Sequence, residues 1–191
     1  EAGPGISVTT ERCWGTVLLM ARSYRPTCVG VGQDGAMDRD HAYAVRVVWQ
    51  GNTGTGTSGY REYSRANDVT AADKLHAIAG SADRTFHGDR ERWNPEELLL
   101  SALSQCHMLS YLHVAVQHGI VVTAYEDDAV GTMRQAGEGG AFVEAVLRPV
   151  VTISAGNPEV ALRIHHDASE VCFIASSVNF PVRHEPVIVT V

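Results

Sequence analysis

Two cysteines, Cys106 and Cys172, are the side chains through which this sequence could carry out covalent chemistry. Each falls in a segment with helix signals, and the deprotonated thiol is the nucleophilic form. A reactive thiol needs a nearby cation or a helix N-terminus to stabilise its thiolate. Cys106 falls in the middle of its predicted helix, where the helix dipole contributes little, so the cation has to come from elsewhere. Three arginines just upstream of that helix are candidates: Arg84, Arg90 and Arg92.

The alternative to a reactive thiol is that both cysteines only pack, since free cysteine is among the most buried residue types. The sequence contains four cysteines, at positions 13, 28, 106 and 172, and no CxxC pair. This number is too small for a disulfide framework, and the spacing does not suit a structural zinc site. The cysteine pattern alone therefore leaves reactive and packing roles open.

Several histidines lie close to these cysteines and raise the question of a metal site. His107 adjoins Cys106, and His165 precedes Cys172 by seven residues, which places both on one face of a helix. No pair of these residues has the tight spacing of zinc ligands, and His107 points about 100° away from Cys106 around the helix. We therefore expect no metal site and no cofactor.

The element that must position the first of these thiols is a long helix predicted over residues 94–119. Asn94 suits the N-cap, Pro95 the first helical position, and Glu97 the third, where its carboxylate can reach back to the cap. No glycine or further proline follows until Gly119, which suits a C′ position. About 24 residues give a rod roughly 36 Å long. Apolar residues cover nearly every face, which predicts a helix buried on all sides. The polar residues in its middle argue against a membrane span.

The remaining segments predict strands on both sides of that helix and a second helix. Alternating apolar residues indicate two strands joined as a hairpin and, after the helix, further β-rich segments and a closing strand. A second Asn–Pro pair predicts a helix from Pro158 to about Cys172, with Asn157 as its N-cap. Asp127 and Asp128 suit a turn better than an acid–base pair. The strand segments are 42–50, 60–69, 120–133, 142–155 and 185–191, and residues 71–80 are predicted to be irregular. The order β-β-α-β-β-α-β is that of an α+β domain.

Composition limits the classes of function. The 191 residues suit one domain with an extension, and a net charge of −7 argues against non-specific binding to nucleic acid or to an anionic membrane. There is no stretch of eighteen apolar residues and no secretory signal, so we expect a cytoplasmic, reducing location. Residues 1–36 lack a sustained period, and Met37 resembles a natural start. We therefore expect an N-terminal extension, native or translated from upstream, before a domain of residues 37–191. An added strand or hairpin over residues 13–21 is the alternative for this extension.

A resemblance to a known family extends these inferences. The stretch NPEELLLSALSQC, the preceding GSADRTFHGDRERW, the cysteine 66 residues later and the stretch CFIASSVNFPV resemble the OsmC/Ohr family of hydroperoxide-reducing thiol proteins, in its OsmC-like branch. The likeness covers residues 37–191. It implies an α+β fold with a long buried central helix, a second helix and antiparallel sheets, in an intertwined homodimer. It also implies a thiol-dependent peroxidase with an organic hydroperoxide as substrate and a dithiol, such as a lipoyl-type thiol, as reductant.

The resemblance implies a role for each site residue. Cys106 is the peroxidatic thiol, Cys172 the resolving thiol, and Glu96 the carboxylate that orients a catalytic arginine. We expect Arg92 to be that arginine because it directly precedes the capped first turn of the helix. Three other arginines stay open for this role: Arg61, Arg65 and Arg84. The apolar residues next to Cys106 favour an organic peroxide over hydrogen peroxide.

Helix geometry then predicts a site shared between chains. Glu96 and Cys106 lie ten residues apart, which is about 15 Å of axial rise and some 80° of rotation. A glutamate side chain cannot bridge that distance within one helix. Two antiparallel helices related by a two-fold axis would place Glu96 of each chain beside Cys106 of the other, so we expect an obligate homodimer. The alternative function is a non-catalytic member of the same fold, which binds small molecules or acts as a stress-associated dimer with inert cysteines.

Overall fold

Both helices predicted from the sequence are present, and each begins after its predicted capping residue. The computed structural model describes residues 40–191. The predicted extension over residues 1–36, which contains Cys13 and Cys28, therefore lies outside the described residues. Helix α1 spans Pro95–Gln117 and helix α2 spans Pro158–Glu170.

The local sequence explains where α1 begins and ends. The Asn94 side chain accepts a hydrogen bond from the Glu97 N–H at 2.8 Å, and the Glu97 carboxylate accepts one from the Asn94 N–H at 3.2 Å. This reciprocal capping box satisfies two of the amides that a helix N-terminus leaves unpaired. At the other end Gly119 adopts a φ of 65°, a left-handed conformation that glycine takes without steric cost. In α2 the last helical residue is Glu170, so the helix ends before Cys172, which lies in the turn that follows.

Nine strands are found within residues 40–191. Strands β1 to β3 precede α1, strands β4 to β7 lie between the two helices, and β8 and β9 follow α2. Their bounds are Arg46–Trp49 (β1), Asn67–Thr70 (β2), Ile78–Gly80 (β3), Val121–Asp127 (β4), Val130–Ala136 (β5), Gly139–Leu147 (β6), Pro149–Ala155 (β7), Val182–His184 (β8) and Val187–Thr190 (β9).

The strands differ in detail from the sequence prediction. The first two begin later than expected, and a turn occupies residues 59–62. Strand β3 lies inside the segment predicted to be irregular, and β8 has no counterpart in the prediction. Each of these two strands has only three residues, too few for an alternating pattern to be recognised. Residues 120–133 hold β4 and the first part of β5, with a break at residues 128–129.

The strands form three sheets of three strands each. In the first sheet β1, β2 and β3 are neighbours and antiparallel. The other two sheets have the orders β4–β7–β9 and β5–β6–β8. Consecutive strands lead from one of these two sheets to the other: β4 to β5, β6 to β7, and β8 to β9. The pairs β6–β8 and β7–β9 are parallel, so these sheets are mixed rather than antiparallel as predicted.

Hydrogen bonds among three charged residues hold the bend between the two mixed sheets. The Arg148 N–H donates to Asp127 at 2.6 Å, and the Arg148 guanidinium donates to Glu185 at 2.9 Å. The other carboxylate oxygen of Asp127 accepts a hydrogen bond from Ser104 of α1. Both oxygens of Asp127 thus tie α1 and the bend together, which is a structural role and not that of an acid–base pair with Asp128.

The hydrophobic core lies between the two helices and the sheet β4–β7–β9. Its buried members are Tyr111, Val114, Ala115, Ile120, Val151, Ile153, Ala161, Ile164 and Ala168. The sheet β1–β3 contributes no residue to this core, and Val47 and Trp49 of β1 are exposed.

One face of α1 is also left uncovered within the chain. Leu109 is 57% exposed and Val116 is 76% exposed, so the expected burial on all sides is not met by a single chain. By length and composition α1 could cross a membrane, although the core helix of a soluble protein meets the same criterion. Two exposed apolar side chains one helical repeat apart, with the partly buried Leu112 between them, suit a covering surface.

Candidate thiol site

The fold brings Cys106 and Cys172 next to each other. Cys106 lies in the middle of α1, Cys172 follows the end of α2, and the two helices pack against one another. The two thiols are close enough for Cys106 to affect the pKa of Cys172. Since the cysteines are far apart in the sequence, this proximity is a product of helix packing.

The two thiols differ in exposure. Cys172 is 1% exposed, and burial followed by the hydrogen bond with Cys106 raises the pKa of Cys172 to about 11. The backbone N–H groups of Ala175 and Ile174 act on the pKa of Cys172 in the opposite direction. At neutral pH Cys172 is therefore a neutral thiol. Cys106 is partly exposed, so it is the thiol of this pair that a solute can reach.

Glu96 lies in the first turn of α1 and faces two adjoining cavities. Its carboxylate oxygen Oε2 is buried and has no hydrogen-bond partner among the described residues. We name the larger cavity, of about 450 Å³, the acidic cavity, and the smaller, of about 340 Å³, the arginine cavity. Glu96, Asp83 and Phe86 line both of them. The acidic cavity is further lined by Met133, Glu138 and Phe142, and the arginine cavity by Trp49, Tyr63 and Arg65.

Within one chain Glu96 and the thiols stay apart. Helix α1 is continuous from Glu96 to Cys106, a separation of about 15 Å along the helix axis. Neither Cys106 nor Cys172 lines either cavity. The structure therefore brings the two cysteines together but does not bring Glu96 to them in a single chain.

Arg92, the expected arginine of the site, is engaged with β2 and with the loop before α1. Its guanidinium donates to the Asn67 carbonyl at 3.3 Å and lies 3.7 Å from Asp68 and 3.9 Å from Asp89. These partners satisfy its charge without Glu96. Arg61, Arg84 and Arg92 line neither of the two cavities.

Arg65 is the candidate arginine that shares a cavity with Glu96. Its guanidinium donates to the backbone carbonyls of Tyr63 and Tyr60, each at 2.7 Å. It also lies 4.5 Å from the ring centre of Tyr60 and 4.2 Å from that of Tyr63, at the distance of a cation–π contact. The sequence signal for this position is the stretch YREYSR, in which two tyrosines precede the arginine.

Three histidines from different elements form a stack that sequence reasoning did not find. The stack consists of His165 of α2, His107 of α1 and His184 of β8. The ring centres of His107 and His184 are 4.1 Å apart, and Nε2 of His107 lies 3.1 Å from Nδ1 of His165. Tyr111 stacks on the far side of His165 with ring centres 4.0 Å apart. The signal in the sequence is weak, because the three positions meet only after the helices and β8 have packed.

The two helical histidines of the stack, His107 and His165, are buried and neutral. His107 is 1% exposed and His165 is 3% exposed. Burial, followed by the neighbouring histidines, lowers the pKa of His107 to about 3, and burial and His184 lower the pKa of His165 to about 4. Nδ1 of His107 and Nε2 of His165 have no hydrogen-bond partner among residues 40–191. In the same part of the chain no group of three or more histidine, cysteine or acidic side chains could hold a metal ion.

Comparison with protein families finds a match to OsmC-like protein over residues 87–186. Among solved structures, an OsmC-like protein of unknown function from Vibrio cholerae is 30% identical, with a TM-score of 0.69 over 77% of this chain and 99% of that one. An organic hydroperoxide resistance protein OsmC from Legionella pneumophila is 17% identical, with a TM-score of 0.55 over 78% and 97% of the two chains. The organic hydroperoxide resistance protein OhrB of Bacillus subtilis is 20% identical, with a TM-score of 0.52 over 76% and 98%. These last two show a shared fold alone. Comparison with curated proteins finds no significant match.

Proposed function

Because the chain belongs to the OsmC-like family, as its sequence predicted, we propose that it is a thiol-dependent peroxidase that reduces organic hydroperoxides. The observation that carries the proposal is the proximity of Cys106, which is partly exposed, to Cys172, which is buried and neutral. Such a pair suits a two-cysteine peroxidase, which needs one thiol open to the peroxide and a second thiol beside it. Two proteins with the same fold are named as organic hydroperoxide resistance proteins.

In the proposed cycle the Cys106 thiolate attacks the terminal oxygen of ROOH, and the O–O bond breaks. Cys106 becomes a sulfenic acid, and the leaving alkoxide takes up a proton to give the alcohol ROH. Cys172 then attacks the sulfenic sulfur, which forms the Cys106–Cys172 disulfide and releases water. An external dithiol reduces this disulfide through a mixed disulfide and leaves as its own cyclic disulfide.

We place this chemistry in a homodimer whose two sites are shared between chains. Leu109 and Val116 lie on one face of α1 and are exposed in one chain. Two α1 helices packed antiparallel about a two-fold axis would cover these faces and bring Glu96 of one chain to the partner's Cys106. The buried, unpaired oxygen of Glu96 supports this arrangement, since a buried carboxylate oxygen without a partner is costly.

Of the two candidates for the arginine of the proposed site, Arg65 is better supported than Arg92. Arg65 lines the cavity that Glu96 also lines, whereas Arg92 already pairs with two aspartates. The sequence-based choice of Arg92 stays a prediction, and matched alanine variants decide between the two. Loss of a cation that stabilises the reacting oxygens typically costs about 100-fold in rate, so Arg65→Ala should show a loss of that size. Arg92→Ala should keep most of the wild-type rate.

A peroxide-consumption assay tests the proposed function. Supplied with dihydrolipoamide, the wild-type protein should consume cumene hydroperoxide over many turnovers, and Cys106→Ser should consume none. Without reductant, wild type and Cys172→Ser should each consume one equivalent, and only the wild type should then contain a disulfide. No consumption by the wild type across several hydroperoxides and dithiols would instead support the non-catalytic alternative, a small-molecule-binding dimer with inert cysteines.

Mixing two inactive variants tests whether the sites are shared. Cys106→Ser and Glu96→Ala homodimers should each be nearly inactive. After unfolding and refolding together, each heterodimer would contain one complete site, and activity should return to about a quarter of the wild-type level for a statistical mixture. Heterodimers that form without any recovery of activity would place the whole site within one chain.

A further inference from the structure

We propose that the acidic cavity makes this protein selective for uncharged organic hydroperoxides over those that carry a carboxylate, with Asp83 and Glu138 as the specificity-determining residues. This inference rests on the proposed function, since it concerns the substrate of the same site. It concerns the organic group of the hydroperoxide and not the thiol chemistry.

The size and walls of the acidic cavity suit an organic group. Its volume is about 450 Å³, within the range of small-molecule sites. Phe86, Met133 and Phe142 supply apolar surface. Gly131 lets Phe142 close over the cavity, because a side chain at this position would come within 2.6 Å of the Phe142 ring. The cavity adjoins Glu96, so in the proposed dimer it lies beside the partner's Cys106.

The charged side chains that line the acidic cavity are all negative. Asp83, Glu96 and Glu138 line it, and no lysine, arginine or histidine does. None of these three carboxylates takes part in an ion pair within residues 40–191. Arg65 lies in the adjoining arginine cavity, which Asp83 also lines, and is proposed to pair with Glu96. It forms no ion pair with Asp83 or Glu138.

Asp83 is anchored as an anion. Its side chain caps the short 3₁₀ helix Arg84–Phe86 and accepts a hydrogen bond from the Thr85 N–H at 2.7 Å. Hydrogen bonds from the side chain and backbone of Thr85 hold the pKa of Asp83 below its usual value. Glu138 lies in the turn between β5 and β6 and also lines the cavity.

Two such carboxylates repel an anionic substrate and leave a neutral one unaffected. At separations of 6–8 Å in a partly hydrated site, their combined repulsion corresponds to a discrimination of about tenfold at low ionic strength. The discrimination should shrink as salt is added, because these charges are only partly shielded from solvent. A cavity that selected its substrates by shape alone would show a discrimination that does not depend on salt.

The test compares cumene hydroperoxide with its para-carboxylate, which have the same reacting group and differ in charge. The ratio of their kcat/KM values, neutral over anionic, should be about 10 for the wild type at low salt. In the double variant Asp83→Asn/Glu138→Gln the ratio should fall to about 2 or less. The asparagine retains an oxygen that can accept from Thr85, so the 3₁₀ helix stays capped. Asp128→Asn, which removes an exposed carboxylate outside both cavities, should leave the ratio at its wild-type value.

A wild-type ratio near 1, or an unchanged ratio in the double variant, would overturn the inference while leaving the peroxidase proposal intact. If neither hydroperoxide is consumed, the proposed function itself fails. The cavity is then tested by calorimetric titration with the two corresponding alcohols, which need no turnover. Tighter binding of the neutral alcohol that depends on Asp83 and Glu138 supports the selection by charge, and equal binding of both alcohols refutes it.

Discussion

Replacing both His107 and His165 by phenylalanine should remove much of the acid sensitivity of this fold. Both rings are buried, and burial lowers the pKa of His107 to about 3 and that of His165 to about 4. In the unfolded chain each imidazole returns to its usual pKa of 6.5. Below pH 6.5 the unfolded chain therefore binds protons that the folded chain does not bind. The protein consequently loses stability as the pH falls from 6.5 towards 4, and it keeps the full contribution above 6.5.

The size of this loss of stability follows from the pKa of the two imidazoles in the unfolded chain. A pH of 5 lies about 1.5 units below the imidazole pKa of 6.5 in the unfolded chain. At 1.36 kcal/mol per unit, each imidazole therefore lowers the free energy of unfolding by about 2 kcal/mol. Since both folded rings are still largely neutral at pH 5, the pair loses about 4 kcal/mol between pH 8 and pH 5. Burial also lowers the pKa of His184, which acts in the same direction. A domain with a typical stability of about 5–15 kcal/mol would be strongly affected.

Urea denaturation at pH 8, 7, 6 and 5 measures the effect, at one fixed protein concentration because dimers gain stability with concentration. Between pH 8 and pH 5 the wild type should lose about 4 kcal/mol more than His107→Phe/His165→Phe. Changing both partners avoids leaving one ring nitrogen of the hydrogen-bonded pair alone. His166→Gln, the exposed neighbour on α2, should keep the wild-type dependence. Equal losses in wild type and double variant would show that the histidine stack is not the source of acid sensitivity.

Three further predictions concern the thiols, the helix cap and the exposed helix face. One equivalent of hydroperoxide should link Cys106 to Cys172, as shown by peptide mapping, and a link to a cysteine of residues 1–36 would contradict the assigned roles. Asn94→Ala should lower the free energy of unfolding by about 1 kcal/mol, because it removes the capping box; an unchanged urea midpoint would contradict this. Leu109→Glu/Val116→Glu should convert a dimer into monomers in sedimentation velocity, and a monomeric wild type would refute the proposed interface.

The helices could be predicted almost to the residue because their limits depend on local chemistry. Asn94 and Glu97 cap α1 through bonds within three residues of sequence, and Gly119 ends it through its own backbone conformation. The short strands β3 and β8 could not be predicted in the same way. Three residues do not show a period, and β8 pairs with a strand far away in the sequence, with Ala145 of β6 opposite Val182.

The family resemblance paired Cys106 with Cys172, which the structure places close together, and their catalytic roles stay predictions. The choice of Arg92 followed from its position next to the helix cap, yet its side chain turns to Asp68 and Asp89. Arg65 is 31 positions from Glu96 in the sequence and meets the same cavity only through the packing of β2 beside β3 and the start of α1. Apolar residues around α1 predicted burial on all sides, whereas one chain leaves Leu109 and Val116 exposed.

The electrostatics of the thiol pair also set the order of events in the proposed cycle. Cys172 cannot attack first, because burial and its contact with Cys106 keep it protonated at neutral pH. Part of this effect comes from the neighbouring Cys106. In the proposed cycle, oxidation of Cys106 to a sulfenic acid replaces this neighbour, so we expect the pKa of Cys172 to fall when its thiolate is required. The N–H groups of Ile174 and Ala175, which already favour the anion, then stabilise the attacking sulfur. Cys106 therefore helps to keep Cys172 protonated in the reduced protein, and oxidation of Cys106 by the peroxide favours the Cys172 thiolate.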